Sequence, residues 1–282
     1  MALSDFGLTS LWKRRVELVG RVLRSLSADP SNIWRIIDVE GEWRNRVIGQ
    51  HDLENGLPEI DLLDLVGDFR ETVEPFTFLE GTSSPIDIGL LKALARRYSD
   101  CRYLEIGTWR GESVANVADV AKECVTVNLS EEQMRERSLP TVKQVFLRGL
   151  SNITRIEQDS KLLDFSSLGK FDLVFIDGDH SYSYVVSDTR NAFRVLRNDF
   201  SMIVWHDYAF DPEAKVRWEV LAGILDGCPE NRVDSLYHVS NTLCAIYTRS
   251  PHATSSPQFP RIPNKHFRVE LTATRRDCTE CQ

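Results

Sequence analysis

A chain of 282 residues, 42% hydrophobic and 27% charged, has room for a sizeable buried core and the composition of a water-soluble globular protein. Its formal net charge of -8 and pI near 5.4 oppose attachment to a phosphate backbone and exclude a nonspecific nucleic-acid footprint. No apolar run approaches the roughly 18 residues that span a bilayer, and Lys13, Arg14, Arg15, Glu17, Arg21 and Arg24 break up residues 8–26 as a targeting segment. A cytoplasmic protein is expected, with small-molecule rather than nucleic-acid or membrane partners.

Leu8, Leu11, Trp12, Val16, Val19, Val22, Leu23 and Leu26 recur at helical spacing and predict an amphipathic first helix. Its apolar stripe must be covered by its own domain or by a second copy, so a homo-oligomer contact is one expectation. Residues 28–84 are mixed, with short helices expected at Ile33 to Val39 and Ile60 to Val66 and turns at Asp29-Pro30 and Gly81 to Pro85. Residues 1–84 thus read as an N-terminal helical cap that shapes a pocket or an oligomer contact.

From residue 85 the pattern becomes regular. Strand-like runs at Arg102 to Ile106, Cys124 to Leu129, Ile153 to Glu157, Phe171 to Ile176 and Met202 to Trp205 alternate with helical segments, among them Asp87 to Arg97, Glu112 to Lys122 and Tyr182 to Leu196. A further helix is expected from Asp211, as its cap, to Gly227, with Val216, Val220 and Ile224 on one face. Two last strands, Arg232 to Val239 and Leu243 to Thr248, follow with no helix between them and suggest an antiparallel edge hairpin. The expected fold over residues 85–250 is therefore α/β: a Rossmann-like, doubly wound, mostly parallel seven-stranded sheet. Residues 251–282, rich in Ser and Pro, read as a loosely held tail. Cysteines within strands read as small core hydrophobes, and Cys278-Thr-Glu-Cys281 supplies only half the ligands of a structural zinc, leaving its role open.

In open parallel sheets ligands bind beyond the carboxyl ends of the strands, so the residues just after each strand carry the chemistry. After the first strand comes Glu105, then Gly107, Thr108 and Gly111 ahead of a helix; this glycine spacing departs from the dinucleotide fingerprint, with Trp109 between, and argues against NAD. The second strand ends at Asn128, the third at Asp159-Ser160, the fourth at Asp177-Gly178-Asp179-His180 and the fifth at His206-Asp207-Tyr208.

Taken in order, these strand ends resemble those of the class I S-adenosylmethionine-dependent methyltransferases, and the Ile-Asp-Gly-Asp-His and His-Asp-Tyr segments are similar to a small-molecule branch related to the catechol-type O-methyltransferases. The resemblance spans roughly residues 85 to 248. It implies a cofactor, S-adenosylmethionine, held by Glu105, Gly107, Thr108, Gly111, Asn128, Asp159, Ser160 and Asp177. It also implies a divalent cation such as Mg2+ at Asp177, His206 and Asp207. Asn128 stands where the family usually grips the ribose with a carboxylate, and gives up a charge-assisted pair worth about 1 to 2 kcal/mol. Asn198-Asp199-Phe200-Ser201 stands where a Pro-Gly-Gly turn is usual.

Methyl transfer from a sulfonium needs no protonated leaving group, so catalysis rests on alignment and on removing the acceptor's proton. His180, His206 and Asp179 are the candidates for that work, since imidazole titrates near neutrality. The competing role for Asp179 and His180 is to cap the following helix, and for His206 to pack beside Trp205. A small-molecule O-methyltransferase is the expectation; a catalytically degenerate binding or regulatory module is its alternative.

Overall fold

The computed structural model describes residues 39–275 apart from 214 and 257–259, together with residues 16, 19–24, 26 and 27. Its strands are β1 Glu59–Ile60, β2 Arg102–Ile106, β3 Glu123–Asn128, β4 Ile153–Glu157, β5 Leu173–Ile176, β6 Met202–Trp205, β7 Leu236–Val239 and β8 Ala245–Tyr247. They form one eight-stranded sheet in the order β1-β7-β8-β6-β5-β2-β3-β4. Pairing is parallel from β6 across to β4, and β8 is antiparallel to both β6 and β7. The expected α/β, doubly wound, mostly parallel sheet is present, with one strand more than expected. The extra strand, β1, pairs parallel with β7 through Glu59 and His238, and it is too short for any alternation to announce it. The last two strands pair as expected, but β8 slots between β6 and β7, and β1 takes the edge.

The helices are α1 Val39–His51, α2 Leu62–Val66, α3 Pro85–Ala95, α4 Glu112–Ala118, α5 Glu131–Glu136, α6 Tyr182–Val195 and α7 Trp218–Gly227. Strand alternation sends side chains to two layers. Leu104, Ile106, Val174, Ile176, Ile203 and Trp205 pack with Val47 of α1, Val185 and Ala192 of α6 and Leu221 and Ile224 of α7. Tyr103, Leu173, Phe175, Met202 and Val204 pack with Leu90, Leu91 and Leu94 of α3 and Val114 and Val117 of α4. Each fully buried aliphatic side chain contributes about 1.5–3 kcal/mol, so these two layers supply much of the fold's stability. Cys101, Cys124, Cys228 and Cys244 are buried free thiols within these layers, as core residues.

Three local expectations are corrected. The helix expected from Asp211 begins only at Trp218, because residues 209–216 close into a small antiparallel loop: Ala209 pairs with Val216, and Asp211 caps a turn at Glu213 (2.9 Å). Among its described residues the tail is held rather than loose. Ser255 exchanges both backbone bonds with Glu59 (2.9 Å each), Arg261 pairs with Glu59 (2.5 Å) and Lys265 with Asp61 (2.5 Å). Of the two short N-terminal helices, Leu62–Val66 forms while Ile60 lies in a strand; Val39 opens α1, which the periodicity did not reveal. The segment in place of Pro-Gly-Gly makes its turn with side chains: Asn198 Oδ1 accepts from the Phe200 amide (2.9 Å), and Ser201 Oγ accepts from the amides of Arg197 and Asn198. The described residues of the first helix are helical, with Val16, Val19 and Leu23 exposed. Leu8, Leu11, Trp12, the rest of the expected Ile33 to Val39 helix, Cys278 and Cys281 lie outside the described residues.

Candidate active site

The carboxyl ends of β2, β3, β5 and β6 lie side by side, and their backbones continue the ladder past the strands. The Gly107 amide donates to Val127, Asp177 to Ile106 and His206 to Ile176 (2.8–2.9 Å). At Gly107 φ is +100, and a β-carbon there would sit 2.0 Å from the Asp177 carbonyl oxygen, so only glycine lets the loop turn against the end of β5. Gly111, with φ of +91, begins α4 and leaves room for Leu147.

Four of the predicted residues converge here. The His206 ring is nearly buried (side chain 8% exposed). Its Nδ1 lies 3.2 Å from Asp177 Oδ1 and 3.1 Å from Asp207 Oδ2, and its Nε2 lies 3.3 Å from Asp87 Oδ2. His180 reaches the same Asp207 oxygen through Nε2 at 3.1 Å and is more open, at 38%. Arg217 holds the other Asp207 oxygen (3.1 Å) and Ser83 donates to Asp177 Oδ2 (3.0 Å). Asp207 takes a left-handed φ of +55, a strained conformation for a non-glycine residue that this network of partners sustains. Burial alone would strip His206 of charge, but Asp177, Asp207 and Asp87 outweigh it and raise the imidazole well above its ordinary pKa. Burial likewise opposes the Asp207 carboxylate, and His206, His180 and Arg217 reverse that and hold it below the usual range.

The ligand atoms of Asp177, His206 and Asp207 lie within 4.8 Å of one another, close enough for one cation to touch all three. One imidazole nitrogen and two carboxylates suit a first-row divalent metal.

Other predicted residues sit apart from this cluster. Asp179 Oδ1 accepts from the Ser181 amide (2.8 Å), an Asx turn just ahead of α6, whose N-cap Ser181 makes no side-chain capping bond. Asn128 Oδ1 accepts from the Thr108 amide (3.2 Å) while its Nδ2 donates to Leu129; Thr108 also shares a 2.6 Å hydroxyl bond with Thr126. Asp159 is bonded by Arg137, Tyr184 (3.0 Å) and the Lys161 amide (2.9 Å). Ser160 bonds Asp188, an acid buried on the inner face of α6. Glu105 has no exposed surface: Tyr103 (2.6 Å) and Ser113 (2.8 Å) close over it, so it ties strand β2 to helix α4 across the glycine turn. Burial, with Asp177 and Glu112 nearby, pushes its carboxyl up to about 8. Trp109, with φ of +49, packs its indole against Gly81, and its Nε1 has no hydrogen-bond partner. A cavity of about 280 Å³ is lined by Asn128 together with Leu129, Met134, Lys143, Arg155 and Glu157 among others.

Sequence reasoning missed Asp87, Arg217, Arg137, Tyr184 and Asp188. Asp87 had a signal, since Ser84-Pro85-Ile86-Asp87 is a capping-box pattern that forms here in full. Asp188 had one too, as an acid among Val185, Val186, Thr189 and Ala192 on the apolar face of a helix. The two arginines and the tyrosine reach the site from loops and helices whose spacing carries no such mark.

Residues 104–208 match a family model described as a methyltransferase domain. No curated protein matches the chain. Among solved structures, a protein from Klebsiella pneumoniae provisionally described as an O-methyltransferase is 19% identical, with 75% of this chain and 99% of that one covered and a TM-score of 0.44. The O-methyltransferase TomG of Streptomyces achromogenes, involved in tomaymycin synthesis and solved with SAM, is 16% identical over 75% and 100% of the two chains, with a TM-score of 0.41. Cofactor-bound Rv0187 from MTB is 23% identical over 60% and 82%, with a TM-score of 0.43. The family match thus runs from β2 to the end of β6 and its following turn, the stretch that carries Glu105, Asp177, His180, His206 and Asp207, and over it the chain is similar to a methyltransferase domain.

Proposed function

We propose that the chain methylates a hydroxyl of a small molecule, with His180 as the base and a divalent cation at Asp177, His206 and Asp207. The observation that carries this reading is the pairing of His180 Nε2 with Asp207 Oδ2 at 3.1 Å, at the mouth of the crevice formed by the strand ends. A carboxylate that accepts from Nε2–H orients the ring and leaves Nδ1 as the lone pair that takes a proton, the same logic by which an aspartate serves a catalytic histidine elsewhere. His206 is unsuited to be the base, because both its nitrogens face carboxylates.

When bound, S-adenosylmethionine supplies an electrophilic methyl group, and a cation would lower the pKa of the acceptor hydroxyl. The residues present fit both. Gly107 clears the path against Asp177, and Asn128 keeps one N–H and one lone pair free for a ribose. Arg217 and Ser83 hold the two cation-binding carboxylates from behind, which fixes their direction before any ligand arrives. His180 Nδ1 would take the acceptor's proton as its oxygen gains the methyl group, with the sulfonium carbon–sulfur bond broken and S-adenosylhomocysteine released.

The test is calorimetry with S-adenosylmethionine and S-adenosylhomocysteine, followed by methyl transfer to a panel of small hydroxyl compounds with and without chelator. Binding of both nucleosides with chelator-sensitive turnover supports the reading. A second reading, a degenerate binding module, draws on Asp159, whose oxygens are already bonded by Arg137, Tyr184 and Lys161. It predicts no binding of either nucleoside, or binding with no turnover on any acceptor.

A further inference from the structure

Asp87 is fully buried in the first turn of α3, far in sequence from either histidine segment. Its carboxylate accepts from the Ser84 amide (3.1 Å) and hydroxyl (2.6 Å), and from the Leu243 amide (3.0 Å). These donors fix it as an acceptor facing His206 Nε2 at 3.3 Å. An imidazole nitrogen can bond such a group only by carrying the hydrogen; Nδ1, which carries one toward Asp177 and Asp207 in the ion-free protein, is then the nitrogen that gives its hydrogen up to a cation held by those two carboxylates. The arrangement is that of a carboxylate behind a metal-binding histidine, where the rear hydrogen bond sets the tautomer and aims the free nitrogen.

The geometry points to Asp87 as a positioning residue that holds His206 in its Nε2–H tautomer, so that the site offers a divalent cation one nitrogen and two oxygens and selects Mn2+ over Mg2+. This rests on the reading of Asp177, His206 and Asp207 as cation ligands. Mg2+ is bound through oxygen and keeps its waters, whereas imidazole favours first-row transition ions, so the nitrogen is the discriminating element. Leu243, which fastens Asp87, lies in the turn between β7 and β8; the same bond therefore ties the sheet's antiparallel end to the cation ligands.

The experiment uses the full chain with Mn2+ alone and Mg2+ alone. Calorimetry on the unaltered protein is expected to give Mn2+ about tenfold or more the affinity of Mg2+. Electron spin echo spectra of the Mn2+ form should show nitrogen-14 modulation from a coordinated imidazole. Asp87→Asn, which keeps the shape but turns an amide N–H toward Nε2, should weaken Mn2+ by about 10- to 100-fold, change Mg2+ little and abolish the nitrogen modulation. Should that variant fail to fold, His206→Asn decides, since its amide oxygen replaces the ring nitrogen and should level the Mn2+ and Mg2+ affinities. Equal affinities in the unaltered protein, or nitrogen modulation that survives Asp87→Asn, overturn the inference. Failure of either ion to bind the unaltered protein overturns the cation reading itself, a separable outcome.

Discussion

The ends of β5 and β6 and the ends of β3 and β4 belong to one sheet yet are built in opposite ways. At β5 and β6 the charged groups face one another across a small gap: Asp177, His180, His206 and Asp207 are mutual partners, backed by Asp87, Ser83 and Arg217. At β3 and β4 the polar groups bond their own surroundings, Asn128 with Thr108 and Leu129, Asp159 with Arg137, Tyr184 and Lys161. The first end is a cluster of charged groups that hold one another in place before any ligand arrives. The second is held by bonds to its own loops and helices, with capacity left on Asn128 and little on Asp159.

The comparison breaks most visibly at His180. His180→Ala should lower kcat by about 10²- to 10⁴-fold, the usual contribution of a positioned base, with S-adenosylmethionine affinity within about twofold of the unaltered protein. Stopped assays paired with calorimetry check this, and a matching loss of cofactor affinity would move His180 to the cofactor side. Gly107→Ala tests the joint between the two ends. The new methyl group would lie 2.0 Å from the Asp177 carbonyl oxygen at a φ of +100, so a loss of about 2–4 kcal/mol in unfolding free energy is expected in denaturant titration. Its backbone shift would also dislodge Asp177, and cofactor binding should fall with stability.

Asn128→Asp sharpens the contrast from the other side. A carboxylate there still accepts from Thr108 and regains a charge-assisted bond to a ribose hydroxyl, so S-adenosylmethionine should bind about tenfold tighter, with kcat unchanged. An unaltered dissociation constant would mean that the ribose does not rest on Asn128.

The two ends also differ in how plainly the sequence announces them. Both reactive segments lie within a few residues of a strand end, so a single reading of 177–180 and 206–208 places Asp177, His180, His206 and Asp207 together. The sheet was legible for the same reason, since β5 and β6 are buried along their whole length and read as continuous apolar runs. Arg137 and Asp159 are 22 residues apart, and Asp87 and His206 are 119 apart; nothing in local spacing couples such pairs, which only the tertiary fold brings together. Strand β1 and the held tail escaped notice likewise, because Glu59 takes its backbone partners and its ion pair from residues 255 and 261.

Acidity offers the finest division of the molecule. Glu105, beneath the glycine turn, is pushed by burial up to about 8, and Asp188, beside Ser160, is pushed by burial up to about 7. Each keeps its proton in the folded chain where the unfolded chain has lost it, so their contribution is full below the ordinary carboxylate range and is lost as pH rises through 7 and 8. Asp87 and Asp207 run the other way: burial opposes their charge, His206 outweighs it, and both are held low. Their contribution is present above the ordinary carboxylate range and is lost as pH falls below it. Unfolding free energy should therefore decline as pH rises from the ordinary carboxylate range, by about 1.4 kcal/mol per unit for each neutral buried acid, until about 7 for Asp188 and about 8 for Glu105, and decline again on acidification. Glu105→Gln should flatten the alkaline limb and leave the acid limb alone, while Asp207→Asn should do the reverse. Denaturant titrations at half-unit pH steps decide it, and one variant flattening both limbs would show that the two ends titrate as a single unit through the coupling of Glu105 to Asp177.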